Sequence, residues 1–471
     1  MRSAARRARG STGAKRQLRA PQAAVGGLEV VTVRGVDVHA AIATLQADPA
    51  VHFAEPNWLL TRPPVVPEAT STDPSDRGYI DGSHWGLYGE STSPSNVYGS
   101  QAGEAWAKGI TGSKAVYVGV IDEGIQYTHC DLAQNIWTNP GESGTYTILS
   151  PNGTTVTRNR ADDGVDDDRN GYADDVHGWD FFHNDKTIYD TGEDHHGTHV
   201  SGTIGSAANN TCDGKLNLGD GGDIGVNWDV TLISGKFLGP GGGSLDAAVR
   251  AVDYMTYLKA GCAAFPKGIC PQVDMDRVGP GLNIVALNNS WGGGAYSQAL
   301  HDAIIRAAKV DILFIAAAGN DGRNIDGRLS YPSAYNTLQG TSTEQWPSWL
   351  VPYDSVIAVA AIDSTGRRAS FSNYGATTVD LGAPGVGIWS AVPGGYAPMS
   401  GTSMATPHVT GAAALYAAVN PTAKGAQIRK ALLDTATRRA TPSLTRKTVT
   451  GGRLDISCLQ TPSNGPLGDC K

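Results

Sequence analysis

The chain has 471 residues and a formal net charge of −8, with a pI near 5.8. An acidic balance of this size disfavours nucleic acid as the main partner, and no apolar run reaches the length of a membrane-spanning helix. Hydrophobic residues make up 40% of the chain, enough for a large core, and its 60 glycines indicate many tight turns. We therefore expect a globular protein that neither binds nucleic acid nor spans a membrane.

The first eighty or so residues differ in composition from the rest. Residues 1–27 are rich in arginine and lack acidic residues, which is typical of an organellar transit peptide. Residues 28–60 have the pattern strand, helix, strand. Residues 61–82 are rich in Pro, Ser, Thr and Asp, which indicates a linker.

Residues 83–458 alternate between buried-strand and helix patterns, which predicts a parallel α/β domain, followed by a short tail at residues 459–471. The expected strands are 115–121, 230–237, 284–287, 312–317 and 356–360. The expected helices are 199–206, 245–259, 298–309, 402–419 and 423–436.

Three motifs within this domain carry residues suited to acyl transfer. The apolar run VYVGVID ends at Asp122, and ligands gather where buried parallel strands end. The segment DHHGTHVSG places His196 before a Gly-Thr pair and a helix of small residues. GTSMATPHVTG delivers Ser403 to the first turn of a helix, where unpaired N–H groups stabilise an anion. By itself, this serine is best interpreted as a helix N-cap. The three residues together, however, follow the Asp, His, Ser chain order of a known catalytic triad.

Together these motifs resemble the subtilisin-like serine proteases, the subtilases, and the resemblance extends from about Trp85 to Ile456. It implies an α/β fold of three layers, with a mostly parallel central sheet and helices on both faces. It also implies a serine endopeptidase of broad specificity that acts on proteins or peptides. Ser403 would attack the carbonyl, His196 would transfer the proton, and Asp122 would orient the imidazole.

The resemblance also assigns the residues around the scissile bond. Asn320 lies in a Gly-Asn-Asp-Gly turn after an expected buried strand, and it would complete an oxyanion hole with the Ser403 backbone N–H. Trp291 is bulkier than the aliphatic residue often found at its position, and the acidic segment 321–330 leaves the pocket floor unassigned. The expected substrate-binding residues are Ser290, Trp291 and Gly292 on one wall, with Ala317, Ala318 and Gly319 on the other.

An acidic loop indicates a cation site, because closely spaced carboxylates repel one another unless a cation neutralises them. Its alternating oxygen ligands before Gly171 have the spacing of a calcium loop, although a solvated acidic loop is the alternative. Many subtilases carry structural Ca²⁺, and the resemblance hints at a second site formed by Asp131 and Asn209. The expected ligands in the acidic loop are Asp166, Asp168, Asn170 and Asp174 or Asp175.

Six cysteines, an even number, favour an oxidising compartment. Short sequence separation suggests two of the pairings, and the resemblance brings the third pair together beside the second cation site. The expected pairs are Cys262–Cys270, Cys458–Cys470 and Cys130–Cys212.

Residues 28–60 resemble the second half of the inhibitory propeptide of secreted subtilases, which closes on a Val-x-x-x-Glu-Pro-Asn phrase such as Val51–Asn57. We therefore expect a monomeric zymogen, inhibited by its own propeptide, that is cut within residues 61–82 and enters the secretory pathway. The first half of the propeptide and a signal segment are not recognisable, so we expect an incomplete N-terminus. The arginine-rich start keeps an organellar location open.

Two other functions stay open at this point. A selective processing protease that cuts after basic residues would carry an additional β domain, for which the stretch after the serine helix is too short. A non-catalytic binding protein on a protease fold would be missing a residue of the triad or the oxyanion hole. None of these residues is missing.

Overall fold

The computed structural model describes residues 76–150, 152–210, 222–261, 281–293, 295–339 and 351–459, together with Ala40. The chain divides into two compact units, residues 1–70 and 71–471, and every element named below belongs to the second unit. Apart from Ala40, the expected basic extension and propeptide lie outside the described residues.

A parallel sheet of seven strands forms the centre of this unit, in the spatial order β4-β5-β1-β6-β7-β8-β9. The remaining described strands pair as two antiparallel ribbons, β2 with β3 and β10 with β11. The strands are β1 (Gly112–Asp122), β2 (Thr145–Leu149), β3 (Thr155–Asn159), β4 (Gly178–Asp180), β5 (Asp229–Lys236), β6 (Ile284–Asn289), β7 (Leu313–Ala317), β8 (Val356–Ile362), β9 (Leu381–Pro384), β10 (Ile388–Val392) and β11 (Gly395–Met399).

Every strand expected from the sequence is confirmed, as β1, β5, β6, β7 and β8. The sheet strands β4 and β9 escaped prediction because they have only three and four residues, too few to show a periodic pattern. The ribbons were not predicted either.

Helices cover both faces of the sheet, which gives the three layers that the resemblance implies. Helices α3, α6 and α7 pack in one hydrophobic cluster with Val118 and Val120 of β1, whereas α4 and α5 pack in a second cluster with Ile121. The helices are α1 (Arg77–Ile80), α2 (Ala102–Trp106), α3 (His195–Gly205), α4 (Leu245–Ala260), α5 (Gln298–Lys309), α6 (Thr402–Val419) and α7 (Gly425–Arg438). In the described part of the chain, no helix combines the length and hydropathy that a bilayer crossing needs.

The expected long helices are confirmed as α3 to α7, but α3 begins at His195, four residues before its predicted start. The Asp194 carbonyl accepts hydrogen bonds from the Thr198 N–H at 3.3 Å and from its hydroxyl at 2.7 Å, which closes the first turn early. His196 therefore lies within the first turn of α3 rather than before the helix. Gly197 is required there, because a Cβ on it would lie 2.3 Å from the Gly124 carbonyl oxygen.

The end of the expected linker packs on the domain. Residues 77–80 form α1, in which Tyr79 is buried, and Asp76 is only 1% exposed. The Tyr88 hydroxyl donates a hydrogen bond to the Tyr79 carbonyl, and the two rings meet edge to face at 4.9 Å. The packed domain therefore begins before residue 83, where the sequence placed its start.

Candidate active site

Asp122 and His196 meet at the carboxyl end of the sheet. Asp122 is the last residue of β1 and is fully buried, and its Oδ1 lies 2.7 Å from His196 Nδ1. The same oxygen accepts a hydrogen bond from the Glu123 N–H at 2.7 Å, which fixes the orientation of the carboxylate. The His196 side chain is 28% exposed, so part of the imidazole stays accessible from the cleft.

The charges around His196 favour its protonated form. Burial lowers the pKa of His196, but the charge of Asp122, the hydrogen bond with it and the charge of Glu123 more than offset burial and raise the pKa. An imidazole with a raised pKa holds a proton more firmly than free histidine does. Such a group is suited to accept a proton from a nucleophile.

Ser403 is the second residue of α6, as the sequence predicts. Its Oγ donates a hydrogen bond to the Ser290 carbonyl at 2.9 Å, and the Ser290 hydroxyl donates to the Ser403 carbonyl at 2.8 Å. The Ser403 hydroxyl is thus directed to Ser290, an expected substrate-binding residue, and not to His196. Rotation about its Cα–Cβ bond changes that direction, and hydrogen bonds of this kind often form fully only with substrate in place.

Asn320 lies beside the same helix start. Its Oδ1 accepts hydrogen bonds from the Thr402 N–H and hydroxyl, both at 2.9 Å, which orients the amide. The Cβ position of Gly401 lies 3.5 Å from Asn320 Nδ2 and 3.6 Å from the Ser403 backbone nitrogen. The two expected oxyanion donors therefore border one small space, which Gly401 leaves open.

The two expected pocket walls continue from neighbouring strands. β6 leads directly into Ser290, and β7, which pairs with it, ends at Ala317. Gly319 has a φ of +100°, a conformation that favours glycine, and a Cβ there would lie 2.5 Å from Asn373 Nδ2. Trp291 packs on Phe237, with ring centroids 4.9 Å apart, so part of the Trp291 side chain contacts the hydrophobic core.

Ser330 and Tyr331, which sequence reasoning did not assign, lie between the two walls. The Cβ position of Gly319 is 3.5 Å from Ser330 Oγ, and that of Gly292 is 3.4 Å from the Tyr331 carbonyl oxygen. That carbonyl also accepts a hydrogen bond from the Gly293 N–H at 3.2 Å. Ser330 ends the acidic segment 321–330, which the sequence left unassigned, and Tyr331 follows it directly, so no local signal identified either residue.

The acidic loop brings together a different set of carboxylates from the expected one. Oxygen atoms of Glu142, Asp168 and Asp175 lie within 4.8 Å of one another. Glu142 and Asp175 are fully buried, and the Asn170 amide donates to both aspartates, at 3.2 and 2.8 Å. Burial raises the pKa of Glu142 to about 7, and the Asp168 carboxylate adds to that rise. Glu142 was missed because it lies far before the loop in sequence.

Asp166 and Asp174, two further expected ligands, lie outside this three-carboxylate cluster and have other hydrogen-bond or charge partners. Asp166 accepts hydrogen bonds from the N–H groups of Asn170 and Gly171, at 3.0 and 2.8 Å, and so shapes the loop. Asp174 Oδ2 lies 3.1 Å from the Lys186 ammonium, which neutralises it. Of the expected ligands, Asp168 and Asp175 are those that join the three-carboxylate cluster, with Asn170 bound to both.

At the second expected cation site, the neighbouring residue Asn210 contacts Asp131, with Nδ2 and Oδ1 2.9 Å apart. The Asn209 N–H donates to Asp76 Oδ2 at 3.0 Å. Burial raises the pKa of Asp76 to about 6; the Asn209 N–H opposes this rise, and the Asp131 and Asp223 carboxylates add to it. Among the described residues, Asp76 Oδ1 and Asn210 Oδ1 are buried without a hydrogen-bond donor.

Cys130, next to Asp131, is disulfide-bonded, and so is Cys458. Their partners lie outside the described residues, as do Cys262 and Cys270. The expected pairings therefore stay predictions.

Comparison with known proteins agrees with this fold. The model of the subtilase family matches residues 113–451. Subtilisin DY from Bacillus licheniformis is 35% identical over 252 residues, which are 53% of this chain and 73% of that protein. The thermostable alkaline protease of Halalkalibacterium halodurans is 34% identical over 251 residues, 53% of this chain and 54% of that protein.

A protease from Pseudoalteromonas arctica, among the solved structures, aligns with a TM-score of 0.53 and 24% identity. The alignment covers 82% of this chain and 98% of that one, and it supports the fold. The chain belongs to the subtilase family and is a subtilisin-like serine peptidase.

Proposed function

We propose that this protein is an endopeptidase that hydrolyses peptide bonds in proteins through Asp122, His196 and Ser403. The observation that carries the proposal is the 2.7 Å contact between buried Asp122 and His196. It lies at the same edge of the sheet as the segments that lead to the two pocket walls.

The reaction follows from the positions of these side chains. Ser403 Oγ adds to the scissile carbonyl carbon while His196 Nε2 takes its proton, and Asp122 stabilises the imidazolium. The carbonyl oxygen gains negative charge between Asn320 Nδ2 and the Ser403 N–H. His196 then protonates the leaving amine as the C–N bond breaks, and water hydrolyses the acyl-enzyme by the same steps in reverse.

Broad specificity is part of the proposal. The segment after β6, at Ser290–Gly292, continues a strand edge to which an extended substrate can add by main-chain hydrogen bonds, which read no side chains. A selective processing protease is the alternative. Cleavage of a peptide library, with basic or apolar residues before the cut, separates the two.

The test of the proposed nucleophile uses Ser403→Ala, with Ser400→Ala as the control. Ser400 is exposed, three residues before the nucleophile, and its hydroxyl accepts a hydrogen bond from the Gly387 N–H at 2.8 Å. We expect Ser403→Ala to lose peptidase activity and labelling by a fluorophosphonate, whereas Ser400→Ala keeps both. If Ser403→Ala kept the peptidase activity of the parent, another residue would be the nucleophile.

We also propose that Ca²⁺ stabilises the fold. Glu142, Asp168 and Asp175 offer hard oxygen ligands in a cluster whose mutual repulsion a cation would relieve. Around Asp131, the buried oxygens of Asp76 and Asn210 without donors also fit a cation. The ion would neutralise these carboxylates and fix the loops that carry them.

Finally, we propose that the protein is made as a secreted zymogen and acts as a monomer. Its propeptide at residues 28–60 would inhibit the enzyme until cleavage, and Cys130 would pair with Cys212. The disulfide bonds of Cys130 and Cys458 support an oxidising compartment. An organellar location is the alternative.

A further inference from the structure

Glu123, the residue after Asp122, contacts the backbone of His196. Its Oε2 accepts a hydrogen bond from the His196 N–H at 2.9 Å. His196 is the second residue of α3, so its N–H has no partner within the helix. Glu123 supplies that partner from the end of the neighbouring strand.

The loop that carries Glu123 is locked against the start of α3. The Gly124 N–H donates to Asp194 Oδ1 at 3.0 Å, and the Gln126 N–H donates to Thr198 Oγ1 at 3.0 Å. Gly197 packs so closely on this loop that a Cβ would lie 2.7 Å from the Glu123 carbonyl oxygen. The backbone that carries Glu123 is therefore fixed against the first turn of α3, where its carboxylate meets the His196 N–H.

Two other carboxylates near His196, those of Asp122 and Asp194, have partners of their own and do not contact the His196 N–H. Asp122 is hydrogen-bonded to the imidazole, and Asp194 lies 3.0 Å from the buried Lys236 ammonium, which also pairs with Asp190.

Within α3, His195 is exposed, whereas burial lowers the pKa of His199 to about 4 and keeps it neutral above that pH. Glu193 precedes α3 on its N-terminal side, and the first turn of α6 carries Thr402, Ser403 and Met404, none of them charged.

We propose that Glu123 is a positioning residue with two effects on His196. Its hydrogen bond anchors the first turn of α3, and its negative charge sets the pH at which His196 becomes a base. This inference rests on the proposed peptidase function. It adds a second carboxylate beside Asp122 to the proposed mechanism. Glu123 would act on His196 through a hydrogen bond to its backbone N–H and through its charge.

Electrostatics supports this role. The pKa of His196 is raised although burial lowers it, and Glu123 contributes to the rise after Asp122. Burial also raises the pKa of Glu123. The hydrogen bond from the His196 N–H opposes this rise, and the Asp122 charge adds to it. A carboxylate acting across a partly exposed site shifts a neighbouring pKa by about half a unit or more.

The experiment compares Glu123→Gln with Glu104→Gln. Glutamine keeps an oxygen that can accept the His196 N–H but removes the charge. Glu104 is a matched control, since its Oε1 accepts the Ser91 N–H at 2.9 Å, on α2, away from the catalytic residues. We expect the acid limb of kcat/KM to move to lower pH by about half a unit in Glu123→Gln and to stay in place in Glu104→Gln.

Two further variants separate charge from anchoring. Glu123→Asp keeps the charge but shortens the side chain, so we expect the acid limb to stay near that of the parent while kcat falls. Glu123→Ala removes both effects, so we expect a lower kcat together with the shifted limb. If Glu123→Gln does not fold, the comparison of Glu123→Asp with Glu123→Ala still measures the charge effect.

The titration of His196 tests the inference without catalysis. NMR of the imidazole in Ser403→Ala and in Ser403→Ala with Glu123→Gln should show a lower pKa for His196 in the double variant. Equal titration curves would overturn the inference even if the parent is an active peptidase. A parent without peptidase activity would overturn the proposed function and leave this measurement valid.

Discussion

In the proposed mechanism, the Asn320 side chain has two roles. Its oxygen accepts hydrogen bonds from Thr402, and its nitrogen borders the space above Ser403. The first set of contacts orients the amide so that the second can act. Because the charge on a substrate carbonyl develops only in the transition state, a fixed donor there accelerates the reaction without tightening substrate binding.

We predict that Asn320→Ala lowers kcat by about 10²–10³-fold with little change in KM, a magnitude established with an asparagine of subtilisin. Steady-state kinetics on a peptide substrate measures the loss. Thr402→Val removes the hydroxyl that anchors the amide but keeps the donor, so its loss should be smaller. An unchanged kcat in Asn320→Ala would place the oxyanion elsewhere.

Met404 lies close to the two expected oxyanion donors, so we expect the site to be sensitive to oxidation. Met404 is 2% exposed, and its Sδ lies 3.6 Å from the Cβ position of Gly401, the point that the two oxyanion donors border. A sulfoxide would place a polar oxygen in this space. We predict that peroxide inactivates the parent and that Met404→Ala largely prevents this.

Met399→Ala is the control for that prediction, because Met399 is more exposed and lies on β11. Activity is followed over time in peroxide, with peptide mass spectrometry to locate the sulfoxide. Equal protection by Met399→Ala, or none by Met404→Ala, would show that oxidation acts away from the nucleophile.

At the scale of elements, the acidic loop connects the sheet to the helices around it. Asp175 accepts a hydrogen bond from the Tyr254 hydroxyl of α4 at 2.6 Å, and it shares the Asn139 amide with Asp168. The loop is therefore tied to the helix layer through carboxylates that repel one another. A cation bound there would stabilise the folded state by mass action, by about 2.7 kcal/mol at a hundred times its Kd.

We predict that a chelator lowers the Tm and that Glu142→Gln with Asp168→Asn removes much of this effect. Asp166→Asn is the control, since Asp166 binds backbone N–H groups outside the three-carboxylate cluster. Calorimetry with Ca²⁺ and with chelator measures the difference. A melting curve that does not respond to chelation would make the loop a solvated acidic one.

The pH dependence of the chelated protein gives a separate prediction. The pKa of Glu142 rises from 4.5 to about 7 on folding, so the folded state binds more protons and loses stability as the pH increases from 4.5 through 7. Ca²⁺ should remove this loss, because it stabilises the charged carboxylate. The free energy of unfolding, measured between pH 5 and 8 with and without Ca²⁺, shows whether stability falls as the pH rises.

At the scale of the whole molecule, the packing of the domain start restricts where the proposed maturation cleavage can occur. Asp76 and Tyr79 are buried in the domain, and Asp76 accepts the Asn209 N–H. A peptide bond held in this way is a poor protease substrate, whereas the preceding residues are rich in Pro, Ser and Thr.

We therefore predict that the active enzyme is cut between residues 61 and 75, while Ser403→Ala stays full length. An intramolecular cut benefits from a high effective concentration, so it should proceed even in dilute protein. Intact-mass analysis of both proteins, each purified without other proteases, decides this. Trimming of the inactive variant at the same bond would show that cleavage is not autocatalytic.

The sequence by itself determined the class of the domain and the residues of the candidate triad. Strands such as β6 and β8 are buried along their length, so apolar runs identify them, and Asp122, His196 and Ser403 each stand beside a local motif. The turn after a buried strand located Asn320, but its expected role came from the resemblance to the subtilases. The strands and motifs can be predicted from sequence because each depends on residues that are close together in the chain.

Only the tertiary structure decided which distant groups share a site. Glu142 joins Asp168 and Asp175, and Asn210 contacts Asp131, although Glu142 and Asn210 lie far from these partners in sequence. Glu123 was visible beside Asp122, but its contact with the His196 N–H exists only because β1 and α3 meet there. Contacts between segments far apart in sequence depend on the packing of whole elements, which no local pattern records.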